Sequence, residues 1–456
     1  MVGATLAVFV VFAMLALSRK SPGAALGIVV LSMMVWPEFL RIPVGLAEMS
    51  VPRLVALALL GQMIARGRHR AITFGTVDKL VLAIWLWIIF AAICAGSAFP
   101  HVSQMIGRGF DTVLMYFIAR VTLLSAEDVR GFYLGLAASA VAMCAAGVYE
   151  AVTSKSPYQA LRGFQGWRFG AYKDTEYRYG LLRAQGSMSV SIYFGMAMML
   201  VLGMLCAVRG YLKDARLYKL VWIAALLAAL SSMSSGPWLA CFMLLGLYVY
   251  EKRPGLIKPS LWLALIAAVV LEVASNRHFY NLIDYFALDK HTAWYRTRLM
   301  EVAVSRLHEF WLFGVGSNWP HHWGEIVDGR GHIDVVNNFL IIALYGGLPA
   351  WAMFLATHVS AIRQTVRAWQ ADRDSRRRQL LFGFAATLVA LDFSSMSVGL
   401  FGPPLLLSHI LLGVMVSAAV DWVPERSTER AVDDPQPDGA EDWTVSDGLA
   451  GEGRYD

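Results

Sequence analysis

The chain has 456 residues, of which 57% are hydrophobic and only 16% are charged, with a formal net charge of +6. Soluble domains carry about 25% charged residues, so this composition excludes an ordinary soluble protein. The apolar residues fall in blocks long enough to cross a bilayer as helices, without the alternation of barrel strands. We therefore predict an all-α polytopic membrane protein with twelve or thirteen transmembrane helices. The predicted spans are 2–18, 23–41, 52–66, 77–97, 110–124, 130–149, 187–208, 218–233, 235–250, 259–275, 336–360, 380–397 and 403–421.

The basic residues indicate how these spans are oriented. Clusters of lysine and arginine follow every second span, and short basic loops stay in the cytoplasm. The first span lacks the basic start of a signal peptide, and Arg19 and Lys20 follow it instead. This pattern predicts an N-terminus outside, a C-terminus in the cytoplasm and two long outer loops, 150–186 and 276–335.

The predicted organisation has four parts. Residues 1–275 form transmembrane helices that include the first long outer loop, 276–335 form the second, and 336–421 form the last transmembrane helices. Residues 422–456 hold ten acidic and three basic residues without a periodic apolar pattern, which predicts a disordered cytoplasmic tail. The sequence has no GxxxxGK[ST] or GxGxxG nucleotide-binding motif in a fitting context, and we expect no nucleic-acid partner.

Both outer loops are rich in arginine. The planar guanidinium group binds phosphate oxygens through two parallel hydrogen bonds and keeps its charge. The loops are therefore candidates for a phosphate site at the outer membrane surface, although arginines that reach lipid headgroups explain the same residues. The candidate arginines are Arg178, Arg183, Arg296 and Arg298.

An amphipathic helix is predicted in the second outer loop, over residues 291–316. It is expected to lie in the membrane interface, and Gly314 and Gly316 are expected to end it. The following stretch, 317–338, is rich in histidine and carboxylates, but their spacing matches no zinc motif, so we expect no metal. A general base that takes the proton of an acceptor hydroxyl is the chemistry that these residues favour.

Two motifs lie in the predicted outer segments. The first, RYGLLRAQGSMSVSIYFG at 178–195, is similar to Arg-x-Gly-x-x-Arg-Ala-x-Gly, with Val190 and Ser191 in place of a His-Pro pair. The second is similar to Arg-x-x-x-Trp-x-x-Ala-x7-Pro-x-x-Gly-x-Gly, with Met300 and Trp311 in place of the tryptophan and proline. The residues that fit these motifs include Arg178, Arg183, Gly186, Arg296, Ala303, Gly314 and Gly316. With these residues the two segments resemble the O-antigen ligase and polymerase superfamily, which includes exopolysaccharide polymerases.

A third motif, VNNFLIIALYGGLPA at 336–350, opens a predicted membrane helix with Asn337. Val336 stands where the family has a histidine or aspartate. The segment SSMSSGPWLA at 231–240 is also similar to a Ser-Gly-Pro segment of exopolysaccharide members. The likeness covers most of the chain.

The resemblance implies a glycosyltransferase of the bacterial inner membrane that needs neither metal nor cofactor. Its donor would be a polyprenyl-diphosphate-linked oligosaccharide at the periplasmic face, bound by Arg183 and Arg296 with Arg178 as a further candidate. Because the family histidine is absent, His332 or Asp334 is the candidate catalytic base. The implied partners are membrane lipid and the chain-length regulator and flippase of the same pathway.

Three functions stay open on the sequence. The chain could polymerise exopolysaccharide or O-antigen repeat units, or it could be a ligase that moves finished glycan to a lipid or protein acceptor. It could also be a flippase or transporter of lipid-linked sugars. A transporter places ionisable residues near the bilayer midplane, where Asp392 is the clearest example. The concentration of charge in the outer loops favours an enzyme.

Overall fold

The computed structural model describes residues 21–38, 40, 42–44, 47–159, 176–256, 290–329 and 331–423, with scattered positions between 259 and 270. The predicted spans 2–18 and, for the most part, 259–275 lie outside the described residues. Parts of the two predicted outer loops, 160–175 and 271–289, also lie outside them, as does nearly all of the predicted tail 422–456.

The described part of the chain is almost entirely helical, which confirms the all-α prediction. Its strands form two small antiparallel hairpins, β1 (Ile42–Val44) with β2 (Ala47–Met49) and β3 (Tyr177–Arg178) with β4 (Leu181–Leu182). The helices are α1 (Pro22–Val35), α2 (Val51–Ala65), α3 (Thr76–Cys94), α4 (Phe99–Thr122), α5 (Ala126–Thr153), α6 (Ser191–Val208), α7 (Ala215–Ser231), α8 (Ser235–Lys252), α9 (Lys290–Ser305), α10 (Trp323–Val327), α11 (Asn338–Ala371), α12 (Ser375–Ser395) and α13 (Gly402–Val420).

Five of the described helices are long and apolar enough to cross a membrane, namely α3, α5, α6, α11 and α13. Helices α1 and α2 are apolar but shorter. A span needs about 20 apolar residues, because the hydrocarbon layer offers the backbone no water. The described residues therefore belong to a multi-pass membrane protein.

Helix α6 lies at the centre of the bundle. Every residue from Phe194 to Val208 is buried, and α5, α7, α8, α12 and α13 pack around the helix. A helix that is apolar on all sides is stable in such a surrounded position. A second apolar cluster, which contains Leu299, Trp323 and Leu344, joins α9 and α10 to α3 and the first half of α11.

Helix α11 corrects the prediction of a plain span over 336–360. It continues to Ala371 and is broken at Gly346 and Gly347. Gly347 has φ +72° and ψ −171°, a conformation that is essentially restricted to glycine. The break follows from the Gly-Gly pair, with Pro349 two residues later.

At the break, two backbone groups of α11 form hydrogen bonds with the segment that follows α9. The N–H of Leu348 donates to the carbonyl oxygen of Trp311 at 2.8 Å. The N–H of Val315 donates in turn to the carbonyl oxygen of Leu344 at 2.8 Å. The 311–316 segment is therefore joined to a membrane helix by backbone hydrogen bonds on both sides of the break.

The predicted amphipathic helix 291–316 is present as α9 but ends at Ser305, so the prediction that Gly314 and Gly316 end it was wrong. Both glycines have positive φ, +71° and +56°, in the turn after the helix. A Cβ atom on Gly314 would lie 2.3 Å from the carbonyl oxygen of Leu344. The glycine is required by this close approach to α11.

A buried charged network joins α3, α4 and the end of α13. The Arg120 side chain is fully buried, and its Nε donates to Asp78 Oδ1 at 3.0 Å. Arg120 also pairs with Asp421 and donates to the carbonyl oxygen of Thr73. Asp78 accepts a further hydrogen bond from the hydroxyl of Tyr116 at 2.8 Å. Each charge in this network therefore has a partner, as burial requires.

Candidate functional site

The β3–β4 hairpin presents two of the predicted arginines. Its turn residues, Tyr179 and Gly180, both have positive φ, which is the geometry of a two-residue turn whose twist suits a hairpin. Arg178 lies on the first strand and Arg183 follows the second. The hairpin therefore holds the two arginine side chains in fixed positions close together.

Both arginines bind the turn between α7 and α8. Arg183 Nη2 donates to the hydroxyl of Ser234 at 2.7 Å, and Arg178 Nη1 donates to the carbonyl oxygen of Met233 at 2.9 Å. Arg183 also forms an ion pair with Glu176, and its side chain is only 11% exposed. Burial lowers the pKa of Arg183 and Glu176 opposes that effect, while an arginine keeps its charge in any case.

The loop from Arg183 to α6 is fixed by two carboxylates. Glu150 accepts hydrogen bonds from the backbone N–H groups of Gln185 at 2.7 Å and Gly186 at 2.8 Å. Glu38 accepts one from the N–H of Ser189 at 2.9 Å. Gly186 has φ +56°, and a Cβ atom there would lie 2.8 Å from the ring of Phe194. The helix-entry glycine that the sequence predicted is therefore sterically required at this position.

The opposite wall comes from α9 and the start of α11. The hydroxyl of Tyr295 donates to the carbonyl oxygen of Asp334 at 3.0 Å and accepts from its N–H at 2.9 Å. Asn337 caps α11, because its side-chain oxygen accepts from the N–H of Leu340 at 3.0 Å. These bonds hold Asp334 beside α9, on which Arg296 lies.

These elements surround a cavity of about 760 Å³, here called the arginine cavity. Its volume is in the range of sites that bind small molecules. Its charged side chains are three guanidinium groups and two carboxylates, so the wall carries a net charge of +1. The residues with polar side chains in the wall include Glu176, Arg178, Arg183, Tyr193, Ser234, Arg296 and Asp334.

The structure separates the predicted site residues into two groups. Arg178, Arg183, Arg296 and Asp334 line the arginine cavity, although they come from segments far apart in the chain. Arg298 and His332 do not line it. Arg298 pairs with Glu301 on the surface of α9 at 2.9 Å and is 43% exposed, and His332 is also exposed. The predicted Gly186 and Asn337 support the cavity, while Gly314 and Gly316 lie in the turn after α9.

Sequence reasoning missed Glu176 and Tyr193, which line the cavity, and Arg108, which lies behind it. Arg108 donates to the hydroxyl of Tyr345, and its guanidinium group lies 5.3 Å from the ring centroid of Phe401. Phe401 in turn lies 5.9 Å from the ring of Tyr193. No spacing in the sequence connects these positions. The Ser-Gly-Pro segment did single out the region of Ser234.

The arginine cavity suits a ligand with a doubly charged phosphate group. Three guanidinium groups offer forked donors, and Asp334 offers a carboxylate that can accept a proton from a hydroxyl. Glu176 already occupies Arg183 Nη1 and the Ser234 hydroxyl occupies Nη2, so an anionic ligand must displace or share these contacts. Within the described ranges, no three His, Cys, Asp or Glu side chains are grouped so that they could hold a metal ion.

No protein-family model matches this chain, and no curated protein matches it in sequence.

Proposed function

We propose that this protein is a glycosyltransferase that polymerises exopolysaccharide or O-antigen repeat units from a polyprenyl-diphosphate-linked donor. The observation that carries the proposal is the convergence of Arg178, Arg183 and Arg296 on one cavity that also contains Asp334. A cavity for a neutral sugar alone would not need three guanidinium groups. A diphosphate joined to a sugar accounts for both the cations and the volume.

The proposed reaction needs only groups that lie in this cavity. A hydroxyl of the acceptor sugar attacks the anomeric carbon of the donor, and its proton passes to the carboxylate of Asp334. The bond from the anomeric carbon to the diphosphate oxygen breaks, and the diphosphate leaves with the electron pair. Fixed guanidinium groups stabilise the growing negative charge more effectively in a partly dry cavity than in water.

The proposal includes a membrane arrangement that is finer than the described helices. It has twelve or thirteen spans in the bacterial inner membrane, an N-terminus in the periplasm and a C-terminus in the cytoplasm. The loops 150–186 and 276–335 lie in the periplasm, and α9 lies in the interface. This arrangement brings the arginine cavity to the membrane face where lipid-linked repeat units are joined.

Deletion of the gene, followed by analysis of the lipid-linked glycans in the inner membrane, tests the proposal. A polymerase predicts accumulated single repeat units. Accumulated long chains without transferred product would instead identify a ligase, which uses the same chemistry on another acceptor. An unchanged pool would contradict both kinds of glycosyl transfer.

Transport of lipid-linked sugars is the second candidate, and one ion pair favours it. His358 Nδ1 on α11 lies 2.6 Å from Asp392 Oδ1 on α12. Ionisable residues within membrane helices often mark a transport path. The test is a His358→Ala variant. Transport would be supported if this variant no longer moved lipid-linked units to the outer face of the membrane, while units already at that face were still polymerised.

A further inference from the structure

A second cavity lies next to the turn that follows α9. It has a volume of about 490 Å³ and shares no lining residue with the arginine cavity. Its wall is built from residues 308–315, from Asn318, Pro320 and His322, and from Ala95 at the end of α3. We call it the Trp311 cavity. None of the residues that line the Trp311 cavity has a role in the proposed transfer step.

The backbone of this cavity is held firmly. Residues 311 and 315 are hydrogen-bonded to the break in α11, as described above. The N–H of Ser317 donates to the hydroxyl of Ser97 at 3.1 Å, which fixes the turn against the end of α3. The concave shape is therefore determined by contacts with two membrane helices.

A carboxylate is fixed in the wall. Glu309 accepts hydrogen bonds from Trp323 Nε1 at 3.0 Å and Arg306 Nη1 at 3.1 Å, and His322 Nε2 lies 3.2 Å away. Partial burial raises the pKa of Glu309, but the hydrogen bond from Trp323, the interaction with His322 and the pairing with Arg306 outweigh it, so the pKa lies below the usual value of a glutamate. The group is thus an ionised acceptor at neutral pH.

The remaining wall combines polar side chains with aromatic rings. His308 and Asn318 offer donors and acceptors. Trp311 is 53% exposed, so much of its indole surface is open to a ligand. The ring of Phe313 adds apolar surface.

This wall discriminates among ligand classes. No lysine or arginine lines it, and the Glu309 carboxylate is already paired with Arg306, so the wall offers a phosphate no free cation and differs in kind from the arginine cavity. A purely apolar ligand would deprive Glu309, Asn318 and the histidines of solvent without giving them hydrogen bonds, which costs free energy. A sugar ring satisfies both requirements, since its hydroxyls bond to the polar groups while its C–H face packs on the indole.

We propose that the Trp311 cavity binds sugar residues of the substrate glycan at a distance from the reacting bond. The inference rests on the proposed function, because it takes the reacting end of the glycan to lie in the arginine cavity. Helix α9 connects the two sites, with Arg296 in the first and Ser305 immediately before the second. The helical rise separates these residues by roughly 14 Å, a distance that an oligosaccharide can span.

The test is a binding measurement on the full chain in lipid nanodiscs by titration calorimetry. The probe is the mixture of lipid-free oligosaccharides released by mild acid from the lipid-linked pool of the same cells. We expect Trp311→Ala and Asn318→Ala each to weaken binding at least about tenfold, the effect of losing roughly 1.4 kcal/mol. Trp311→Tyr, which keeps an aromatic face, should retain binding.

Two variants outside both cavities serve as controls. Phe99→Ala removes an aromatic side chain that is 80% exposed and lines neither cavity, so binding should not change. Arg298→Ala removes a surface arginine of α9 that also lines neither cavity, so the probe should again bind normally. Absence of binding to the unmodified protein, or equal binding by the Trp311→Ala and Asn318→Ala variants, would overturn the inference even if gene deletion supports a polymerase. Binding that depends on Trp311 would support the sugar site even if the deletion leaves the lipid-linked pool unchanged.

Discussion

The guanidinium group of Arg183 donates a hydrogen bond to the hydroxyl of Ser234 at 2.7 Å, across 51 positions of the chain. The two residues belong to separate sequence motifs, one in the loop before α6 and one in the turn before α8. Their contact brings the motifs together at one wall of the arginine cavity. The hydroxyl also fixes one nitrogen of the guanidinium group, so that the side chain has a defined direction before a ligand arrives.

Replacement of Arg183 should therefore affect transfer far more than replacement of Arg298. We expect Arg183→Ala to lower the rate of polymer formation roughly 100- to 1,000-fold, the usual loss when one fixed donor to a developing anion is removed. Arg183→Lys should lose most of the rate as well, because an ammonium group cannot replace the fork. The measurement is product formation in membranes supplied with lipid-linked repeat units.

Arg298→Ala is the matched control, since Arg298 lies on α9 like Arg296 but pairs with Glu301 on the surface of that helix. Its rate should stay at the wild-type level. Equal losses for Arg183→Ala and Arg298→Ala would mean that general positive charge, and not the cavity, supports the activity.

The two candidates for the catalytic base can be separated in the same assay. Asp334 lines the arginine cavity and His332 does not, so Asp334→Asn should reduce the rate while His332→Ala should leave it unchanged. A positioned general base typically contributes roughly 100- to 10,000-fold. Asparagine keeps the size of the side chain but loses its negative charge and its basicity.

A normal rate for Asp334→Asn would remove this residue from the mechanism. In that case Glu176→Gln is the next variant to measure, because Glu176 is the other carboxylate in the wall. A loss of activity in His332→Ala alone would contradict the placement of the site.

The sequence could predict much of this site because its residues have strong local signals. Arginine in a predicted outer loop is unusual enough to be noticed, and Asn337 before an apolar run is a recognisable helix cap. The end of α9 could not be predicted in the same way. The sequence pattern predicted that the helix ends at Gly314. That glycine is instead required because the backbone there packs closely against Leu344, 30 positions later. Such long-range approaches leave no periodic signal in the chain.

The same limit applies to Glu176 and Tyr193. A single glutamate in a polar loop and a single tyrosine at a helix start are common, and neither residue type points to a cavity. Only the β3–β4 hairpin and the packing of α6 bring them to the wall. By contrast, the apolar composition of α6 was enough to predict a membrane helix, because burial on all sides leaves a continuous apolar run.

Gly347 should be among the least replaceable residues of α11. A Cβ atom there would lie 2.2 Å from the carbonyl oxygen of Leu312, and its backbone conformation is essentially restricted to glycine. We expect Gly347→Ala to destabilise the protein by about 1–3 kcal/mol and to lower the melting temperature in detergent.

The control is Gly61→Ala in α2, where no atom lies within 4 Å of the added Cβ. That change should raise stability by roughly 0.5–1 kcal/mol, so a lower melting temperature for Gly61→Ala than for Gly347→Ala would contradict the close contact.

The buried pair of Arg120 and Asp78 should contribute far more to stability than a surface pair. Asp78→Asn keeps an oxygen that can accept the hydrogen bond from Gly75, which is 2.6 Å long, but it leaves the fully buried guanidinium group with less compensating charge. Removal of one partner from a buried ion pair costs about 3–5 kcal/mol, whereas an exposed pair contributes about 0–1 kcal/mol.

Glu301→Gln, which breaks the exposed pair with Arg298, is the control, and the melting temperatures of the two variants are compared in the same detergent. A large decrease for Asp78→Asn with almost none for Glu301→Gln is the expected result, because only the first variant removes a partner from a charge that is buried away from water. Similar small decreases would mean that Asp421 alone compensates Arg120, since it is the second carboxylate within reach of that guanidinium group.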